Sequence, residues 1–343
     1  MKTCFDVFDA DRDGFLNETE FTELQHHLFR HRDGFHAVSD KQRIDIMKLL
    51  DEKQDGKIDR EEFQTCWLHW LRQILEPKSA LVIVDVQNDF ISGTMSISNC
   101  PAKQDGNDVI PIINRLLENV NFECVVYSAD WHPANHISFI ENIKQREIHH
   151  TSKVTGGAAK IYDTVIFSGP PIMDQKMWPC HCVQDSWGAR YHPDLKVVDR
   201  AIHITKGTNP DIDSYSAFWD NKKLSQTNLV CELTQKAITD VYVCGLAYDV
   251  CVGSTAVHSI EHGFRTVLID DASRGVELAD INAMKQKLIK TGAVIVDSDR
   301  VADMVDATDR RPELGYQAAL NVAMARKLVK EEESKKQASS NGK

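Results

Sequence analysis

Ala80-Leu81-Val82-Ile83-Val84-Asp85 is the stretch that decides the fold. Five apolar residues, three of them β-branched, run without a polar interruption and stop on a carboxylate. A parallel sheet covered on both faces requires such a strand, because neither side of it meets water. Five further runs of this kind follow: ECVVYS at 123–128, AIHIT at 201–205, DVYVCG at 240–245, RTVLID at 265–270 and AVIVD at 293–297. Amphipathic helical patterns lie between them at 107–119, 249–262 and 278–290. Strands alternating with helices predict an α/β domain over 80–310 with a doubly wound, mainly parallel six-stranded sheet. Two connections, 128–200 and 206–228, exceed ordinary loop length and carry four of the six tryptophans and six of the fourteen histidines, so functional insertions are expected there.

Before Ala80 no strand-like run occurs. Two Asp- and Gly-rich loops, each followed by a helical pattern, predict a small all-α domain over 1–76, ended by Pro77, which disfavours helix at the residue before it. Over 1–76, 11 Lys and Arg stand against 17 Asp and Glu, so more than half of the formal charge of -11 falls in the first quarter of the chain. That asymmetry suggests cation binding. The first loop, 9–20, matches D-x-D-x-D-G-x5-E at every liganding position. Ca2+ needs about seven oxygens, and this spacing offers the carboxylates of Asp9, Asp11 and Asp13, the carbonyl of Phe15, Asn17 directly or through water, and a bidentate Glu20. The second loop, 51–62, offers Asp51, Asp55, the carbonyl of Lys57, Asp59 and Glu62, but Lys53 puts an ammonium where an oxygen is needed. It is expected to bind Ca2+ weakly or not at all and to pair structurally with the first, around Met47, Leu50, Phe63 and Trp67. Both loops resemble the EF-hand family. Met47 is the only methionine of this module besides Met1, so no methionine-rich target groove is expected, and Ca2+ should mainly stabilise the module.

The remaining composition excludes several classes. A pI near 5.7 argues against a nucleic-acid partner, and no run approaches about 18 apolar residues, the length of a membrane span. The expected protein is soluble and not secreted, resident in the cytoplasm with the nucleus as a second compartment. Nine cysteines without a C-x-x-C pair fit a reducing compartment and plain buried thiols. After Arg311 a C-terminal helix is expected over part of 311–343, with the last ten or so polar residues disordered.

In doubly wound sheets ligands gather at the carboxyl ends of strands where the strand order reverses. Asp85 closes the first strand, Asp130 and His132 follow the second, Lys206 follows the third, and Cys251 comes just after the fourth at a helix start, where thiolate is favoured. Read singly, each has an ordinary alternative: an inert buried cysteine, a solvated lysine, an aspartate that caps a turn.

The blocks IVDVQNDF (83–90), ADWHPANHISF (129–139), WPCHCV (178–183), KGTNPDIDSYSAF (206–218) and CGLAYDVCVGSTA (244–256), in that order, closely resemble the nicotinamidases of the isochorismatase-like cysteine hydrolases. The resemblance covers about 80–300. It implies a catalytic triad of Asp85, Lys206 and Cys251, an oxyanion hole from the N–H groups of Ala247 and Cys251 beside a cis peptide at 246–247, and a divalent metal on Asp130, His132 and His181. His136 and Asp213 match further acidic or metal-binding positions of some members, and Phe90 and Trp178 match pocket aromatics. The implied reaction turns nicotinamide into nicotinate and ammonia, with zinc favoured and iron, manganese or magnesium open. Two alternatives remain: another amidohydrolase of the superfamily, or a calcium-dependent binding protein whose hydrolase domain is inactive.

Overall fold

In the computed structural model six strands form one sheet: β1 (Ser79–Val84), β2 (Cys124–Asp130), β3 (Ile202–Lys206), β4 (Asp240–Leu246), β5 (Arg265–Arg274) and β6 (Val294–Val296). Every neighbouring pair is parallel, and the order in space is β6-β5-β4-β1-β2-β3. All six residues of β1 and all seven of β4 are buried, as their unbroken apolar runs require. Leu229, Leu233, Val252, Ala256 and Leu288 come from the helices Leu229–Gln235, Gly253–Glu261 and Leu278–Lys290 and from the turn before the second of these. They pack on Val82, Val84, Val126, Val241 and Val243. From β1 the chain builds outward through β2 and β3, and from β4 it builds the other way through β5 and β6. The order therefore reverses between β1 and β4, which puts the residues after these two strands beside the crevice. The long connection after β2 carries a hairpin, Thr164–Phe167 with Met173–Lys176, closed over Ile137, Val165, Phe167, Met173 and Met177.

The structure describes the backbone of residues 1–340 and the side chains of 1–337. The chain divides into two compact units, one of Met1–Lys78 with Ala302–Lys343 and one of Ser79–Val301. In the first unit the helices Lys2–Phe8, Glu18–Leu28, Asp40–Leu50 and Arg60–Cys66 flank the two acidic loops, whose strands Phe15–Leu16 and Ile58–Asp59 pair antiparallel. Asn17 and Asp59 each form a capping box with Glu20 and Glu62, so the residue that starts a helix is tied to the last residue of its loop.

The core of this unit holds Phe5, Phe21, Ile46, Met47, Leu50, Phe63 and Trp70, together with Ala318, Ala319 and Val322 from the C-terminal helix Pro312–Ser340. Trp70 Nε1 donates to the Gly315 carbonyl at 2.8 Å. Arg326 donates to the Leu49 and Leu50 carbonyls at 3.3 and 2.9 Å, where the helix Asp40–Leu50 ends. Trp70 is the fully buried tryptophan, while the expected Trp67 lies partly buried beside the core. Trp67–Leu71 form a wide helical turn that carries an extra residue and so rotates the following side chains inward. The C-terminal helix also reaches further than expected, through Ser340; its Lys- and Glu-rich run has high helix propensity, and Lys327 and Glu331 pair across one turn at 3.9 Å. The rest of the expected disordered tail, 341–343, lies outside the described residues. No helix among the described residues is long and apolar enough to cross a membrane.

Candidate active site

At the end of β1 the backbone leaves the sheet because Asp85 takes a left-handed conformation, φ +51°, which aspartate tolerates at a cost on the order of 1 kcal/mol. Its Oδ1 accepts the Ser128 hydroxyl at 2.7 Å and its Oδ2 lies 2.8 Å from Lys206 Nζ. Lys206 sits opposite Asp130 in the β2–β3 register and pairs closely with that carboxylate as well. Its ammonium also reaches the Ser214 carbonyl at 3.1 Å and Cys251 Sγ at 3.4 Å. Cys251 lies in the first turn after β4, within the wide turn Tyr248–Val252. The sheet edge thus brings Asp85, Lys206 and Cys251 into one buried cluster.

The charges of this cluster are coupled. Burial pushes the Asp85 carboxyl up to about 6, with Lys206 pulling it down and Asp130 pushing it further up. Burial also opposes ionisation of Asp130, but Lys206 and His132 outweigh it and hold that carboxyl well below its ordinary range. Lys206 is buried too, yet Asp130 and Asp85 keep it charged far above its usual range. For Cys251, burial pushes the thiol well up, with Lys206 pulling it down and Asp85 and Asp130 adding to the rise. Burial thus opposes the pull toward thiolate that a helix start exerts, and a neighbouring base has to take the proton.

Next to the cluster, Asp130 Oδ2 lies 3.5 Å from His132 Nε2 and 3.7 Å from His181 Nε2. Each imidazole bonds a carbonyl through its other nitrogen: His132 Nδ1 to Gly207 at 2.8 Å, His181 Nδ1 to Pro179 at 2.7 Å. A carbonyl can only accept, so each Nδ1 carries a proton, which leaves each Nε2, on the side of the carboxylate, as the nitrogen that a metal ion would take. A carboxylate oxygen and two imidazole nitrogens within 4.8 Å of one another are donors that a divalent cation takes. The donor set therefore fits such an ion. Gly207 belongs to the design: its φ is +64°, and a Cβ there would come within 2.2 Å of the His132 ring.

His136 stacks on His132 with ring centroids 4.1 Å apart and bonds Ser138 through Nδ1, while burial and the neighbouring His132 and His181 hold it well below the usual imidazole range. His132, His136 and Asp213 form a second set of potential ligands, but Asp213 already accepts from Gln175 at 2.9 Å and from Ser214 N–H at 2.8 Å. A cavity of about 400 Å3, counted with its open mouth, is lined by Cys251, Ala247, Asp130, His132, His181 and Asp213 on its polar side. Phe90, Trp178, Tyr215, Met95, Ile97, Val250 and Val276 form the apolar remainder. The peptide between Leu246 and Ala247 is cis. Of these linings Met95, Ile97 and Val276 carry no sequence signal, while Val250 stood inside the 244–256 block. Tyr215, whose hydroxyl lies 3.4 Å from Trp178 Nε1, stood inside the 206–218 block.

Residues 79–300 match the family model of the isochorismatase domain. The chain belongs to the isochorismatase family. Residues 1–67 match the model of an EF-hand domain pair. Within the isochorismatase family the chain is similar to the nicotinamidase of Escherichia coli, 37% identical over 204 residues that cover 59% of this chain and 85% of that protein. It is also similar to the solved nicotinamidase pyrazinamidease of Acinetobacter baumanii, at 35% identity and TM-score 0.56 over 66% of this chain and 99% of that one. The yeast nicotinamidase bound to the inhibitor nicotinaldehyde superposes with TM-score 0.55 at 27% identity, over 64% and 99% of the two chains. The isochorismatase domain thus accounts for the α/β unit and leaves the acidic loops to be read separately.

In the first acidic loop Asp9, Asp11 and Asp13 bring carboxylate oxygens within 4.8 Å of one another, and Asp9 Oδ1 is buried without a hydrogen-bond partner. Glu20 closes the loop, accepting from Ala10 N–H at 2.8 Å and Asn17 N–H at 3.0 Å. In the second loop the Lys53 ammonium pairs closely with Asp59 and lies 3.8 Å from Glu61, occupying an acidic group that a cation would need. Asp51 accepts from Gln54 and Gly56 N–H at 2.6 and 2.9 Å, Asp55 from Lys57 N–H at 3.0 Å, and Glu62 from Lys53 and Asp59 N–H at 2.9 and 3.0 Å.

Proposed function

We infer that this chain hydrolyses nicotinamide to nicotinate and ammonia through a Cys251 thioester. The observation that carries the reading is the contact of Lys206 with Asp85, Asp130 and Cys251 beside a small, aromatic-walled cavity that Asp130 and Cys251 line, together with the similarity to nicotinamidases. Asp85 takes the thiol proton as Cys251 Sγ attacks the carboxamide carbon. The N–H groups of Ala247 and Cys251 receive the oxyanion, and protonated Asp85 then gives its proton to the amide nitrogen, which departs as ammonia. Asp85 next takes a proton from the water that attacks the thioester, nicotinate leaves, and the proton returns to sulfur. Lys206 holds the Asp85 carboxylate in place and offsets negative charge near the sulfur. Phe90 and Trp178 flank the flat ring, with Tyr215 against Trp178. Asp130, His132 and His181 would hold a divalent cation, most simply zinc, which would supply Lewis acidity toward the pyridine nitrogen and so help to orient the ring. The test is direct: ammonia release from nicotinamide by the metal-loaded protein, with no turnover meaning that the reading fails.

The raised carboxyl of Asp85 sets the pH response. As pH falls through about 6 this group gains a proton and can no longer accept one from the thiol, so kcat/KM should drop about tenfold per pH unit on the acid side. A cation on Asp130 pulls in the same direction as Lys206, so the acid limb is expected at or below pH 6. A limb centred above pH 7 would contradict the assignment of Asp85 as base.

Ca2+ at the 9–20 loop stabilises the EF-hand unit and takes no part in the amide chemistry. Glu20→Gln removes the bidentate charge at constant volume and should weaken Ca2+ binding by roughly 10- to 100-fold. It should also abolish most of the rise in Tm with Ca2+, a stabilisation of about 2.7 kcal/mol at 100 times Kd in the parent, while kcat stays within twofold. A parental Tm response in the variant, or loss of kcat, would exclude this role.

A further inference from the structure

β1 ends at Val84, opposite Ser128, whereas β2 continues two residues further to Asp130. On the β3 side Asp130 faces Lys206, but on the side that β1 has left, its peptide groups need another partner. The side chain of Gln87 takes the place of the missing strand: its Oε1 accepts the Asp130 N–H at 2.8 Å, and its Nε2 donates to the Asp130 carbonyl at 2.9 Å. The same Nε2 donates to the Ala189 carbonyl at 2.8 Å, and Gln87 is wholly buried. A carboxamide has the donor and acceptor of a peptide group, so it can complete both bonds at once.

Two residues on, Asp89 acts on the other side of the site. Its Oδ2 accepts the Cys182 N–H at 2.7 Å and its Oδ1 the Thr94 N–H at 3.1 Å. Thr94 in turn donates its hydroxyl to the Cys180 carbonyl at 2.7 Å. The two neighbours of His181 are therefore both tied to the turn after β1. Gly188 lets the loop close on Asp89, because a Cβ there would come within 1.9 Å of its carboxylate.

We propose that Gln87 and Asp89 are positioning residues that aim Asp130 and His181 at one shared point. Neither touches the substrate cavity or the triad side chains; both act through the backbone of a metal-binding residue or its neighbour. The inference rests on the reading of Asp130, His132 and His181 as metal ligands. A misaimed ligand weakens a metal site by about 10- to 100-fold, the range found for outer-shell partners.

The test uses Gln87→Glu, which keeps the acceptor but loses the donor, and Asp89→Asn, which turns one acceptor into a donor facing an N–H. Thr94→Val removes only the hydroxyl bond to Cys180 at an exposed position and serves if the buried variants do not fold. Zn2+ or Mn2+ affinity is measured on the full chain by chelator competition, beside the alkylation rate of Cys251 by iodoacetamide, located by mass spectrometry. Expected are a 10- to 100-fold loss of metal affinity for the first two variants, a smaller loss of about threefold or more for Thr94→Val, and alkylation of Cys251 within twofold of the parent. Folded variants with parental metal affinity would overturn the proposal, and so would an alkylation rate that changes in step with metal affinity, since the residues would then support the whole site. A parent that binds no divalent metal would instead overturn the metal reading itself.

Discussion

Cys251→Ala should lower kcat for nicotinamide by at least about 10^4-fold while nicotinamide still binds within a few-fold of the parent. A carboxamide resists water, and without sulfur no other group in the cavity both lies free and is nucleophilic. Lys206 cannot substitute, because Asp130 and Asp85 hold its nitrogen protonated. Binding is spared because the polar wall of Asp130, His132 and His181 and the rings of Phe90 and Trp178 do not depend on the thiol. Rapid-quench assays give kcat, and isothermal titration gives the binding constant. Turnover within tenfold of the parent would remove Cys251 from the mechanism. The loss should be seen against unchanged metal content, which separates it from the next variant.

His132→Ala attacks the site from the other side. It removes one of the two imidazole nitrogens beside Asp130 Oδ2 that are proposed to share a metal with it, and also frees the Gly207 carbonyl that aligned the ring. Metal affinity should fall by about 100-fold or more, and KM should rise at least as clearly as kcat falls, because the ring of the substrate loses its anchor before the nucleophile loses anything. Metal content by plasma emission, read with both kinetic constants, decides the matter. Full occupancy with parental KM would reduce Asp130-Trp131-His132 to a turn. His136 cannot take over without rearrangement, since it stacks face-on against His132 and is bonded to Ser138.

The strands were legible because a doubly covered parallel sheet leaves continuous apolar runs, and all six runs entered one sheet. Asp85, Asp130, Lys206 and Cys251 were legible for a related reason: strand ends at an order reversal must converge, so chemistry at those positions can be read without seeing side chains. Harder to read were residues whose work is done on distant backbone. Gln87 lies inside the 83–90 block, but its partners are 43 and 102 residues away, and the partner of Asp89 is 93 away. Apolar linings such as Met95 and Ile97 look like any loop residue until the fold closes on them. The rise at Cys251 could not be read from a helix start either, because it comes first from burial in the closed fold, with Asp85 and Asp130 from other parts of the chain adding to it. Trp70 replaced Trp67 in the core for a local reason, a wide turn that no propensity announces.

The pairing of Trp70 with Gly315 spans 245 residues, and the helix that supplies Ala318, Ala319 and Val322 comes after the whole of Ser79–Val301. During synthesis the acidic loops leave the ribosome before the hydrolase unit, yet the last side chains of their core arrive only once that unit has been made. At roughly 5–20 residues per second this leaves a nascent EF-hand pair incomplete for about 12 to 50 s. For that interval its apolar face is open to chaperones, to proteases and to neighbouring nascent chains. A stop codon or frameshift near residue 312 would then strike hardest at the acidic-loop unit, whose loops lie upstream of the whole hydrolase unit.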